Sequence, residues 1–278
     1  MPIVATLWSL TLLAAIAISL SFTGNISYRL AQNSFHVAYE DALADAAVNR
    51  AVLTLLDPGA DYGRLLNGTE QSFNFGGASL HMRIEDEFGK IDINQTDGST
   101  LAALFQSAGM TPLAAEGLVD KVLDWRDRSP FKRLNGAKAE EYRAAGDNYS
   151  PRNGPFQSVD ELTLVMGMTP DLYRRIEPAL TVYSGRQFVD PLFAPPEVLV
   201  ALPALANARA ATIGASPGTA AAVALLGGVS APILALKGRA FTINTKISRS
   251  IDLVRYHSVV RLTGDPAQPF WTLVWQRS

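Results

Sequence analysis

The chain opens on a long, mostly apolar run without charge. From Ile3 to Phe22 there is no charged residue, and Ile3, Val4, Leu7, Leu10, Leu12, Leu13, Ile16, Ile18, Leu20 and Phe22 fall inside it. About 20 apolar residues are what a helix needs to cross the hydrocarbon layer of a bilayer. At about −0.5 kcal/mol for each large apolar side chain, insertion is favoured by on the order of −5 kcal/mol before the polar residues are counted. A cleaved secretory signal would carry basic residues ahead of the run, whereas the first charge here is Arg29, so the pattern predicts a retained transmembrane helix over 1–24. The positive-inside rule has no Lys or Arg ahead of the span to act on, and a short basic leader upstream of Met1 is therefore expected.

Helical character continues without proline from Asn25 to Leu56 and stops at Asp57-Pro58-Gly59. In this second half Ala44, Val48, Val52 and Leu55 recur every three or four residues, while Glu40, Asp41, Asp45, Asn49 and Arg50 supply polarity elsewhere. That spacing predicts an amphipathic face against a soluble domain. One continuous helix of about 50 residues, both halves together, would extend about 80 Å at 1.5 Å per residue.

The period then changes to two. Ser72–Phe75 and Ala78–Glu85 read as a hairpin across Gly76-Gly77, with Leu80, Met82 and Ile84 on one face, and a second turn falls at Phe88-Gly89-Lys90. From Ser99 to about Glu177 the pattern is helical: Thr111-Pro112 and Thr169-Pro170 place a cap before a first-turn proline, Leu118, Val122 and Trp125 form a stripe, and Ser158-Val159-Asp160-Glu161 reads as a capping box. Asp190–Gly228 is rich in Ala, Leu, Pro and Gly and predicts further short helices, Glu197–Leu202 among them. Strands return at Ala240–Ile247, Ser258–Leu262 and Phe270–Trp275. The order implies an α+β fold in which one antiparallel sheet closes around an inserted helical block.

Composition adds limits. The 278 residues are 48% hydrophobic and 18% charged, enough for a sizeable core, and the net charge of −2 gives no general attraction to nucleic acid. The absence of cysteine removes disulfides and thiolate chemistry. No P-loop, H-E-x-x-H or G-x-S-x-G occurs, and His36, His81 and His257 are far apart in sequence, so no enzyme class is indicated. Glu85-Asp86-Glu87 with Asp92 could be read as paired hydrolytic carboxylates, but beside the Phe88-Gly89 turn they read better as solvated acids.

The motifs Gly89-Lys90-Ile91-Asp92-Ile93-Asn94, Val122-Leu123-Asp124-Trp125-Arg126-Asp127, Asn135-Gly136-Ala137 and Phe156-Gln157-Ser158-Val159-Asp160-Glu161-Leu162, followed by Leu164-Val165-Met166-Gly167-Met168-Thr169-Pro170, carry a resemblance. Pro178-Ala179-Leu180-Thr181-Val182-Tyr183 and Ala194-Pro195-Pro196-Glu197-Val198-Leu199 extend it. Together with the long helix, the chain resembles the general secretion pathway protein K family, the K-type minor pseudopilins of type II secretion. The resemblance implies a transmembrane helix (1–24), a pilin-like core in two parts (25–96 and 237–278) and an inserted all-α domain (97–236). It further implies a non-enzymatic subunit at the tip of a short pseudopilus, anchored in the inner membrane with its C-terminal domain in the periplasm, that helps export folded proteins across the outer membrane. Its partners would be the other minor pseudopilins, of the I, J and H types, and the major pseudopilin. Most pilins carry Glu at the fifth mature position, whereas Val4-Ala5-Thr6-Leu7 is uncharged. The K-type family shares this feature, and it suits a tip subunit with no earlier neighbour to pair a buried carboxylate.

The resemblance also implies calcium near the Asp-Trp-x-Asp motif, with Asp124, Asp127, Glu140 and Glu141 as candidate ligands for an ion that takes 6–8 oxygens. Two departures weigh against it: the family's second acid after Asp127 is Ser129 here, and its acid after Gly-Ala is Lys138. The competing reading of 116–147, with seven acids and seven bases, is a solvated surface of exposed ion pairs. Ser158–Tyr173 further resembles a helix-hairpin-helix, which would make the chain a membrane-tethered DNA-binding or uptake protein. Its turn reads Gly167-Met168-Thr169 without the second glycine, and the block has no basic excess, so no nucleic acid partner is expected.

Overall fold

The computed structural model describes residues 2–57, 59, 65–66, 68–215, 236–249 and 252–277. Pro58, the 216–228 part of the Ala-, Leu-, Pro- and Gly-rich stretch, and Met1 and Ser278 lie outside the described residues. The long helix forms as one element, α1 (Pro2–Leu55). Its second half carries the predicted face: Ala44, Val48, Val52 and Leu55 are all buried, joined by Leu43, Ala47 and Ala51. The alanines let the helix axis approach the sheet closely.

That sheet has five strands: β1 (Gln71–Phe75), β2 (Ala78–Asp86), β5 (Ala240–Arg249), β6 (Asp252–Asp265) and β7 (Gln268–Arg277). They pair antiparallel in the order β1-β2-β5-β6-β7. The β1–β2 hairpin turns at Gly76 and Gly77, both at positive φ (56° and 70°), the backbone that a two-residue turn between right-twisted strands requires. Tyr39 of α1 donates its hydroxyl to the Gly76 carbonyl, Tyr256 donates to Asp41 at 2.7 Å, and Arg277 pairs with Glu40. These bonds fasten the helix along the sheet. The C-terminal strands run longer than their hydrophobic cores predict. β6 begins at Asp252 because Val254 and Tyr256 continue the inward face past the exposed Arg255.

The chain leaves the sheet at Asp86 and returns at Ala240, with Asp86 opposite Phe241, so two strands distant in sequence become neighbours. Between them lies a lobe built from β3 (Ile91–Asp92), α2 (Gly98–Ser107), α3 (Pro112–Arg126), α4 (Ala139–Ala144), α5 (Pro170–Ile176), β4 (Leu180–Thr181), α6 (Pro196–Ala201) and α7 (Pro203–Ala215). Thr111 and Thr169 cap their helices as predicted, each accepting a main-chain N–H, with proline in the first turn. The lobe has its own core, in which Leu101, Leu104, Phe105, Val122, Trp125 and Ile176 meet. A separate core joins α1 to the sheet and takes in Phe193 from the lobe.

The capping box does not form as predicted. Ser158 makes no side-chain cap, and Glu161 accepts from Gln157 N instead, at 3.0 Å, while Arg152 grips the same carboxylate. The segment Val159–Leu164 is a 3-10 helix rather than an α-helix. The helix-hairpin-helix reading of Ser158–Tyr173 therefore loses its first helix, although Gly167 does turn the chain at φ 92°.

Candidate functional site

Two regions concentrate chemistry. The first is the front of α1, which among the described residues is the one helix long and apolar enough to cross a membrane. The protein itself covers none of its most apolar stretch. Trp8 is 75% exposed and Phe22 67%, a surface that water does not favour and lipid does. A charge in mid-span should therefore weaken the hold on the membrane. Replacing Ile16 by Asp exchanges a favourable insertion term for about +3 kcal/mol, more than half of the on-the-order-of −5 kcal/mol available. With on the order of −1.5 kcal/mol left before the polar residues are counted, Ile16→Asp is expected to appear in part in the supernatant of an alkaline wash that retains the natural chain, and equal retention of the two would contradict the anchor.

The second region is the lobe with its roots in the sheet, where the quoted motifs come together. At the root, the acids expected to be solvated are buried instead: Asp86, Glu87 and Asp92 are only 1%, 2% and 2% exposed. The turn is covered because the 190–194 segment crosses over it. Asp190 N donates to Phe88 O at 2.8 Å, and a Cβ on Gly89 would lie 2.1 Å from the Phe193 carbonyl oxygen.

Each buried acid is bound. Asp86 accepts from Phe88 N at 2.9 Å and pairs with Arg239, whose guanidinium lies over the Phe88 ring at 4.4 Å. Burial pushes the Asp86 carboxyl up to about 6 against the pull of Arg239. Glu87 accepts from Lys90 at 2.8 Å, from Thr242 at 2.6 Å and from Thr181. Burial opposes the Lys90 charge, but Glu87 and Glu85 outweigh it and raise its pKa above the ordinary lysine value. Asp92 accepts from Asn94 N at 2.9 Å and Gly185 N at 2.7 Å, and burial raises its pKa despite these bonds. The polar cleft of about 420 Å³ beside this root has Glu85, Glu87, Lys90, Asp160 and His257 on its walls. Its carboxylate Glu87 is saturated by Lys90 and two threonines, which is the geometry of a brace rather than of a proton-transfer pair.

Farther into the lobe, Asn94 bonds both ways to the main chain of one residue, donating to Phe156 O at 2.9 Å and accepting from Phe156 N at 2.7 Å. Phe156 stacks on Trp125, with ring centres 6.1 Å apart, and Arg126 donates to the carbonyls of Ile93 and Thr96. The motifs distant in sequence thus contact one another.

The four candidate calcium ligands do not converge. Asp124 is fully buried and accepts from the Arg133 guanidinium at 2.7 Å and from Arg133 N at 3.0 Å. Asp127 takes Ser129 N at 3.0 Å and the same guanidinium at 3.4 Å. Glu141 pairs with Lys132 and accepts Lys138 N at 2.9 Å; those two bonds hold its carboxyl down to about 2. Glu140 is exposed on the first turn of α4. Among the described residues no three His, Cys, Asp or Glu side chains are placed to share a metal ion. The solvated-surface reading fits Glu116, Arg128, Glu140 and Arg143, all exposed, but not Asp124 or Lys138, which are buried. Sequence patterning missed Lys138 and Arg239 as organising residues. Lys138 had a signal, a base where an acid was expected, whereas Arg239 had none.

Comparison with known proteins places these features. The family model described as "Type II secretion system (T2SS), protein K" matches residues 83–185, from β2 through the lobe to just past β4. A type II secretion system protein K of Klebsiella pneumoniae is 40% identical over 75 residues, 27% of this chain and 23% of that protein. One of Dickeya chrysanthemi is 38% identical over 74 residues, 27% of this chain and 20% of that protein. The matched stretch thus spans under a quarter of the length of these relatives. A chain of the crystal structure of the GspK-GspI-GspJ complex from enterotoxigenic Escherichia coli superposes with a TM-score of 0.66 at 19% identity. That match covers 89% of this chain and 99% of that one and establishes a common fold.

Proposed function

We propose, on the premise that residues 83–185 are those of the type II secretion system protein K family, that this chain is a structural minor pseudopilin at the tip of a type II secretion pseudopilus. The observation that carries the proposal is α1, a single helix whose uncharged front half is bare and whose back half is the spine of a soluble domain. Such a helix can leave the bilayer and pack among like helices without changing its fold. The absence of charge over residues 2–28 removes any need for an ion pair with a subunit above it. A bulky lobe inserted between β2 and β5 suits a subunit that caps a stack rather than one that repeats within it.

In this reading the helix crosses the inner membrane once and the sheet and lobe stand in the periplasm. The partners are minor pseudopilins of the I, J and H types and the major pseudopilin, and the role in export is mechanical, not catalytic. The test is co-purification of the detergent-solubilised full chain with each co-expressed minor pseudopilin. A stable complex with the I and J types is expected, and no complex with any of them would overturn the assignment.

A further inference from the structure

Lys138 is 9% exposed, and its ammonium meets three oxygens: Asp124 O at 2.6 Å, Asp127 O at 2.7 Å and Asn153 Oδ1 at 2.9 Å. An ammonium has three N–H donors, so its full complement is used. Two of the oxygens are main-chain carbonyls at the C-terminal end of α3, which ends at Arg126, where carbonyls lack helical partners and the helix dipole is negative. The third belongs to Asn153, held at φ 52° in a segment on the far side of α4. Gly154 N donates to Trp125 O and brings that segment against the same helix end. One cation thus ties three pieces of chain together.

We infer that Lys138 is the resident cation of the lobe, seated in an oxygen cage where the family resemblance puts calcium, so that this chain holds its lobe together without a divalent ion. Calcium needs 6–8 oxygens at 2.3–2.6 Å, carboxylates among them. Here Arg133 claims Asp124 and Asp127, Lys132 claims Glu141, and a positive charge already fills the cage. Gly136 is part of the same arrangement: a Cβ there would lie 1.8 Å from Asp124 Oδ2, so the loop that delivers Arg133 and Lys138 can close only on glycine. The inference rests on the lobe's geometry and is independent of the assembly role proposed above.

The test is thermal melting of the detergent-solubilised full chain, followed by circular dichroism, in millimolar calcium and in chelator. The natural chain is expected to melt at one midpoint in both, within about 1 °C, since a ligand that does not bind the folded state cannot stabilise it. Lys138→Met, which keeps the stem and removes the ammonium, is expected to lower the midpoint by about 5 °C in both buffers. A natural chain stabilised by calcium, or a Lys138→Met chain that melts like the natural one, would overturn the inference.

Discussion

Gly89→Ala is expected to destabilise the soluble part by more than about 3 kcal/mol, beyond the usual range for one added methyl group in a packed site. The ordinary argument for glycine does not apply, because Gly89 is not among the positive-φ residues. Its necessity is steric. The added Cβ would sit 2.1 Å from Phe193 O, 2.4 Å from Phe193 C and 2.9 Å from Ala194 N, all main-chain atoms that cannot rotate aside. Relief requires the 190–194 strap to lift, which breaks the bond from Asp190 N to Phe88 O and draws Phe193 out of the core beneath. Gly77→Ala is the natural control: it has a φ of 70° but open space around it, so only the backbone strain of about 1–2 kcal/mol applies. Urea unfolding of both variants measures the difference. A Gly89→Ala chain no less stable than Gly77→Ala would show that the strap is not held closed at that point.

Arg239→Met is expected to cost about 3–5 kcal/mol, the usual result of removing one partner of a buried ion pair. Asp86 is buried, and without Arg239 its charge would keep only the Phe88 N–H as compensation. The pair joins residues 153 apart in sequence, at the point where β2 ends and β5 begins. Loss of the pair should therefore loosen the root of the lobe. Burial outweighs the pull of Arg239 on the Asp86 carboxyl, so Asp86→Leu combined with Arg239→Met should recover much of the loss. A double-mutant cycle in urea reads the coupling. A single-variant cost under about 1 kcal/mol would mean that water reaches the carboxylate when the arginine is gone.

These outcomes turn on residues that patterning treated unequally. The bare front of α1, its amphipathic back, the glycine hairpin and the Thr-Pro helix starts were all readable, since each depends on neighbours within four residues. The acids around Phe88-Gly89 were misread as solvated because local sequence shows a turn but not the strap that crosses it a hundred residues later. The capping box at Ser158 went the same way: Arg152 and Trp125 compete for Glu161, and only the folded lobe brings them near. The resemblance identified the motifs. The structure shows what they do: Asn94 splints Phe156, Asp92 anchors Gly185, and Gly136 admits Asp124.

By itself the sequence determined that the chain begins with a membrane-length helix, that this helix continues as the spine of an α+β domain, and that a helical block interrupts the sheet. Periodicity and the cost of burying charge act along the chain, and they are sufficient for that much. Only the tertiary structure decided that Asp86 meets Arg239, that Glu87 is bound by Lys90 and two threonines, and that Asp124, Asp127 and Glu141 are taken by arginine and lysine. A buried charge must be paired, but its partner is chosen by what packing brings within about 3 Å, and no local pattern records that distance.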